Sequence, residues 1–169
     1  MRRNLFRDLR DCDIITGMDE ATSRQGIFGV GYEGQRIETF IYDLLVSSTR
    51  ILADVRLNAI SRKRGFSKRL LEASLAEVGI GYWHVPELGN PGWNRAGFGG
   101  AGSEVQAARA RFAGMIGGEA ANMRMEEIAA AARDGVVAVM CVEADERACH
   151  RYVILQELHR RLKLCEAAF

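Results

Sequence analysis

From Ile27 onward, short apolar runs alternate with stretches whose apolar residues recur every three or four positions, a pattern that only alternating strands and helices satisfy. Ile27–Tyr32 reads as a buried strand, and Gln35–Val46 as a helix with Ile37, Phe40, Ile41, Leu44 and Leu45 on one face. Ile51–Val55 is a second strand. Ser67–Val78 is a second helix, with leucines at 70, 71 and 75, and Gly79 ends it. Ile80–Val85 is a third strand, stopped by Pro86. Helices are expected over Ser103–Met115 and Glu119–Arg133. Val136–Met140 is the most apolar and β-branched run, which places it centrally in the sheet. Asp145 is expected to cap a last helix reaching about Leu162. The fold class is therefore α/β: a single domain with a mostly parallel sheet, Rossmann-like, covered by helices on both faces.

Two segments fall outside this alternation. Residues 1–25 carry charges of both signs without a period and read as a poorly ordered or loosely docked arm before the α/β domain of residues 26–169. Glycines at 89, 92, 97, 99, 100 and 102 mark a long, mobile excursion. Composition narrows the setting. With 48% apolar and 27% charged residues, wholesale disorder is excluded. No apolar run approaches the roughly 20 residues that cross a bilayer. The N-terminus has no signal-like apolar core, so a cytoplasmic location with reduced thiols is expected. A net charge of +1 favours neither nucleic acid nor acidic lipid, so electrostatic recognition has to be local.

In open parallel sheets, ligands bind outside the carboxyl ends of the strands. Here those ends carry Tyr32-Glu33, Asp54-Val55-Arg56, His84 through Glu87, and Cys141-Val142-Glu143, and the closing helix adds Cys149-His150-Arg151. Four strand ends thus deliver ionisable groups to one rim, the pattern of a pocket.

Taken in order, Gly31-Tyr32-Glu33, Asp54-Val55-Arg56, Pro86-Glu87-Leu88-Gly89 and Cys141-x-Glu143 with Cys149-His150-Arg151 resemble the domain of unknown function family 488, over roughly residues 27–163. The resemblance implies a compact α/β domain and specifies no reaction. The N-terminal arm and the stretch from Gly89 to Gly102 depart from the family's usual pattern.

Several chemistries fit the rim. Cys149, in the first turn of a helix beside His150 and Arg151, has the surroundings that stabilise a thiolate, although Cys is also a common small core residue. A phosphatase loop is excluded, because nine residues, none of them glycine and three acidic, separate Cys141 from Arg151. His84, Glu87, Cys141, Glu143, Cys149 and His150 are good zinc ligands by type, but no Cys-x2-Cys pair or HExxH helix organises them. Adjacent Cys149 and His150 would point about 100° apart on a helix. No metal and no cofactor is expected. Glu33, Asp54, Glu87 and Glu143 could crowd together and raise one carboxyl for acid–base work, or pair with arginines instead. Between Arg50 and Arg69 stand seven Lys or Arg residues against the single acid Asp54. Arg62-Lys63-Arg64-Gly65-Phe66-Ser67-Lys68-Arg69 could grip phosphates while Phe66 stacks on a base, with Trp93 and Phe98 adding stacking surface.

These readings converge on an enzyme acting on an anionic substrate, a nucleotide or nucleic-acid component. Glu33, Asp54, Glu143 and Cys149 are its expected catalytic residues. Tyr32, Arg56, Arg62, Arg64, Glu87, His150 and Arg151 are its expected substrate contacts. The alternative is a non-catalytic nucleic-acid-binding or interaction module that uses the basic loop 62–69.

Overall fold

The structure is a computed structural model that describes residues 25–166. In chain order the elements are β1 (Gly26–Gly31), α1 (Ile37–Val46), β2 (Thr49–Asp54), α2 (Lys68–Ala76), β3 (Gly81–His84), α3 (Gly92–Arg95), α4 (Ser103–Met115), α5 (Glu119–Asp134), β4 (Val136–Cys141) and α6 (Arg151–Glu166). The four strands form one parallel sheet in the order β1-β4-β2-β3. The arm expected over residues 1–25 lies, Gln25 apart, outside the described residues.

The last strand in the chain is an interior one. Every residue of β4 is buried, as its unbroken Val-Val-Ala-Val-Met run requires of a strand covered on both faces. Side chains alternate across it. Val137, Val139 and Cys141 join Phe112, Met125, Ile128, Ile154 and Leu158 in one core, while Ala138 and Met140 join Phe40, Leu44, Leu71 and Leu75 in the other. Crossover handedness explains which helix goes where. Right-handed connections from β1 to β2 to β3 run one way along the sheet and put α1 and α2 on one face. The return from β3 to β4 runs the other way and puts α4 and α5 on the opposite face.

Two local expectations are corrected. Asp145 does not cap the long helix. It accepts the Arg147 N–H at 2.9 Å and so starts the short 3-10 turn Glu146–Ala148, and α6 begins only at Arg151. The glycine-rich stretch is not a loose excursion. The buried Asn94 side chain donates to Asn90 Oδ1 and Ala108 O, both at 3.1 Å, and accepts from Arg111 Nε at 2.9 Å. Phe98 is buried edge-on against Phe112, so it offers no stacking surface, whereas Trp93 is exposed. Among the described residues, no helix is long and apolar enough to cross a membrane.

Candidate functional site

The chain leaves β2 toward α2 on one face and leaves β4 toward α6 on the other, so the connections part between β4 and β2. That is where a parallel sheet opens a crevice. Cys141 ends β4 at this point, in register with Gly31 of β1. The connection to α6 is fastened on the β1 side. The Val142 carbonyl accepts the Glu33 N–H at 2.9 Å, and the Glu33 carboxylate accepts the Ala144 N–H at 3.1 Å. Buried Arg151 donates to Val30 O at 2.7 Å and to Glu143 O at 3.1 Å. Glycine lets the strand and loop meet at 31, where an added Cβ would collide with the Glu143 carbonyl oxygen unless the loop shifted.

The turn at Glu146–Ala148 delivers Cys149 in an extended conformation, φ −128° and ψ 149°, ahead of the helix. Freed from helical geometry, adjacent Cys149 and His150 aim at one point, contrary to the divergence expected on a helix. Cys141 Sγ, Cys149 Sγ and a ring nitrogen of His150 all lie within 4.8 Å of one another, and all three residues are buried. His150 Nδ1 is 3.9 Å from Cys141 Sγ and 3.7 Å from Cys149 Sγ. His150 Nε2 lies 3.2 Å from the Val55 carbonyl oxygen. A carbonyl only accepts, so Nε2 carries the proton and the Nδ1 lone pair faces the sulfurs. The Phe112 ring packs edge-on against the imidazole, 5.1 Å between centroids, and the Arg151 N–H approaches Cys149 Sγ at 3.4 Å.

The cluster divides its charge unevenly. Hydrogen bonding from Cys149 brings the Cys141 thiol down to about 6 despite its burial, while the same contact and burial push Cys149 up. Burial acts to raise the Glu143 carboxyl. Its backbone hydrogen bond and the thiols of Cys149 and Cys141 outweigh that and hold it below the usual range. Glu143 Oε2 is enclosed without a hydrogen-bond partner.

Other expected site residues form a second, closed nucleus. Asp54 is fully buried, and Arg56 meets it through backbone N–H (3.1 Å), Nε (2.8 Å) and Nη2, while the Tyr82 hydroxyl donates at 2.6 Å. Burial opposes the Arg56 charge, but Asp54 more than compensates and raises its pKa. Arg56 also donates to Phe66 O (2.9 Å) and to the Tyr32 hydroxyl (3.1 Å), which leaves it no free edge for an anion. Tyr32 is buried and stacks on Phe66 at 4.3 Å, so neither ring is open to a ligand. Both terminal nitrogens of Arg151 are likewise committed to backbone carbonyls, while its Nε is enclosed without a hydrogen-bond partner. Glu87 pairs with Arg124 at 3.1 Å, outside the thiol cluster. Arg62 and Arg64 are exposed on the loop that leaves β2, and neither makes an ion pair among the described residues. Lys63 between them donates to Tyr32 O at 2.9 Å, which holds the loop on the rim.

Of the expected residues, then, Glu143, Cys149 and His150 come together, while Glu33, Asp54, Arg56 and Arg151 brace the loops around them. Cys141 and Phe112 complete the group. Sequence offers Cys141 by type, as a strand-end thiol among the candidate zinc ligands, and does not single out Phe112. A further signal for Cys141 is a second thiol eight positions later, next to a histidine.

Fold and site together define a parallel α/β protein with a buried thiol–imidazole cluster at the carboxyl edge of its sheet. Residues 36–158 match the family described as Domain of unknown function DUF488, and the chain belongs to that family. No curated protein and no solved structure matches the chain.

Proposed function

We propose that this protein is an enzyme acting on an anionic substrate, a nucleotide or nucleic-acid component, with Cys141, Glu143, Cys149 and His150 as its reactive centre. The observation that carries this reading is the convergence of two thiols and an imidazole of fixed tautomer within 4.8 Å at the sheet's crevice. Apolar side chains would fill that space without the cost of burying polar groups, and perturbed thiols in a cleft mark a functional centre more often than a core. Arg62 and Arg64, exposed on the loop that Lys63 fastens to the Tyr32 carbonyl, support an anionic substrate. Segment 96–99 packs against the turn at 146–148 and Phe112 covers His150, so a substrate enters as that cover shifts.

Exposure of Arg62, Arg64, Lys68 and Arg69 along one segment favours, second, the non-catalytic nucleic-acid module. It would work by charge alone, since Phe66 is fully buried and cannot stack on a base.

Fluorescence anisotropy with labelled nucleotides and short oligonucleotides over a salt series tests both, alongside chromatographic detection of product. Replacing Arg62 and Arg64 by alanine is expected to weaken binding about tenfold and to lower the salt slope by about one per lost phosphate contact. Glu143→Gln is expected to retain binding and lose turnover. Unchanged binding in the arginine variant refutes the anionic substrate, and full turnover by Glu143→Gln refutes the reactive centre. Arginine-dependent binding with no turnover by the wild type establishes the module instead.

A further inference from the structure

We propose that Cys141 Sγ, Cys149 Sγ and His150 Nδ1 bind one zinc-like divalent transition-metal ion at the carboxyl end of β4. The inference rests on the proposed enzyme only for what the ion does, and not for whether it binds.

Distances carry the argument. Zinc in a tetrahedral site lies about 2.3 Å from sulfur and about 2.0 Å from imidazole nitrogen. Those bond lengths put ligand sulfur and nitrogen about 3.5 Å apart, and two ligand sulfurs about 3.8 Å apart. The observed Nδ1 to Sγ separations of 3.7 and 3.9 Å need only a slight contraction, and both sulfurs lie inside the 4.8 Å that bounds the cluster. The ligand types match as well: two soft thiolates and an imidazole suit zinc and disfavour magnesium or calcium.

The surroundings are those of a ligand set rather than of a chance contact. The Nε2–H of His150 donates to the Val55 carbonyl, the outer hydrogen bond that orients a metal-binding imidazole and leaves its other nitrogen bare. The Arg151 N–H reaches Cys149 Sγ, an outer contact that steadies a thiolate. Each ligand is also held on a separate support: Cys141 by the interior strand, Cys149 by the Glu146–Ala148 turn, and His150 between Val55 and Phe112. Charge agrees with burial. Two thiolates and a dication sum to zero with a neutral imidazole, so the loaded site leaves no net charge in the core, whereas two bare thiolates would leave two.

Three protein ligands leave a fourth position, the coordination typical of a catalytic rather than a structural zinc. Glu143 follows Cys141 by two residues on the same strand end, and its Oε2 is enclosed and unpartnered. Under the proposed function that carboxylate handles the proton of a water at the fourth position.

The test titrates the reduced, metal-stripped full chain with cobalt(II) and follows thiolate-to-cobalt charge transfer and visible d–d absorption. The expected result is saturation at one ion per chain with the intense bands of a four-coordinate, sulfur-ligated site, displaced by zinc. Cys141→Ser, Cys149→Ser and His150→Ala are each expected to weaken binding by more than about 100-fold, beyond what losing an outer hydrogen bond does. A variant with Cys12 and Cys165 both changed to serine is expected to bind as the wild type does. Should the site variants fail to fold, stoichiometric zinc on the wild type is still expected to protect Cys141 and Cys149, mapped by peptide, from alkylation. Absence of charge-transfer bands, unchanged binding in the site variants, or alkylation indifferent to zinc overturns the proposal. Bands without anion binding or turnover support the metal site and remove the enzyme reading. Arginine-dependent anion binding with turnover, but without bands, does the reverse.

Discussion

Changing Asp54 to asparagine separates a structural from a chemical role for the most deeply buried carboxylate on the rim. The side chain is fully buried, and that of Arg56 is only 4% exposed, so the guanidinium has no water to turn to once its partner is neutral. Four donors lose their anion: the Arg56 backbone N–H, Nε and Nη2, and the Tyr82 hydroxyl. Breaking one side of such a buried pair costs about 3–5 kcal/mol, chiefly through the uncompensated charge left behind. Domains of this kind have about 5–15 kcal/mol to lose. Urea unfolding followed by the fluorescence of Trp83 and Trp93 reads the loss. With a slope of about 2 to 2.5 kcal/mol/M, a 4 kcal/mol loss moves the midpoint down by about 1.6–2 M. Adding Arg56→Met removes the stranded charge and is expected to restore part of the stability, so that the double variant is more stable than Asp54→Asn alone. A loss below about 1 kcal/mol for Asp54→Asn would refute the reading of this pair as a dry, closed brace. So would a variant as stable as the wild type that has lost turnover, since Asp54 would then serve chemistry.

Gly31→Ala is expected to cost about 1–3 kcal/mol by thermal unfolding, because the new methyl group meets the Glu143 carbonyl and must push the site loop outward. Cobalt binding is expected to weaken with it, and a fully stable variant with unchanged affinity would show that the loop is not pressed on β1. Acid acts elsewhere, where Arg160 and then Arg161 hold Glu157 down to about 2. A carboxyl depressed in the folded state stabilises above its ordinary value near 4.5 and loses that contribution as pH falls toward 2. Stability is therefore expected to decline more steeply over that window in the wild type than in Glu157→Gln, and equal slopes would contradict the assignment.

What the sequence discloses follows from how local each determinant is. β4 was legible because an unbroken β-branched run is its own signature, and α1 and α2 because leucines and aromatics repeat on one face. The glycine-rich stretch was not legible. Its order comes from Asn94 reaching Asn90, Ala108 and Arg111, contacts that composition does not display. The candidate site lay between these extremes. Glu143, Cys149 and His150 stand out as ionisable groups past a strand end, yet a helix running back to Asp145 would aim Cys149 and His150 apart. One 3-10 turn there leaves Cys149 extended, and that single backbone difference turns two divergent neighbours into two convergent ones. For Arg56, Tyr32 and Phe66, chemical type pointed outward to a ligand. Burial turned all three inward to one another and to Asp54, because the loop after β2 folds back over the sheet.

The position of β4 also bears on how the chain assembles. Among the described residues, β1 hydrogen-bonds to no strand other than β4, and β2 meets β1's side of the sheet only through it. As the chain emerges from a ribosome, β2 and β3 can pair early, but β1 waits for more than a hundred further residues before its partner β4 is made. Until then two strand edges stand open, a condition that invites pairing with other chains and favours a helper that shields them. Cys141, Cys149 and His150 arrive with that same final segment, so the chemistry of the edge and the closure of the sheet are completed in one step, and a nascent chain stopped short of it has neither.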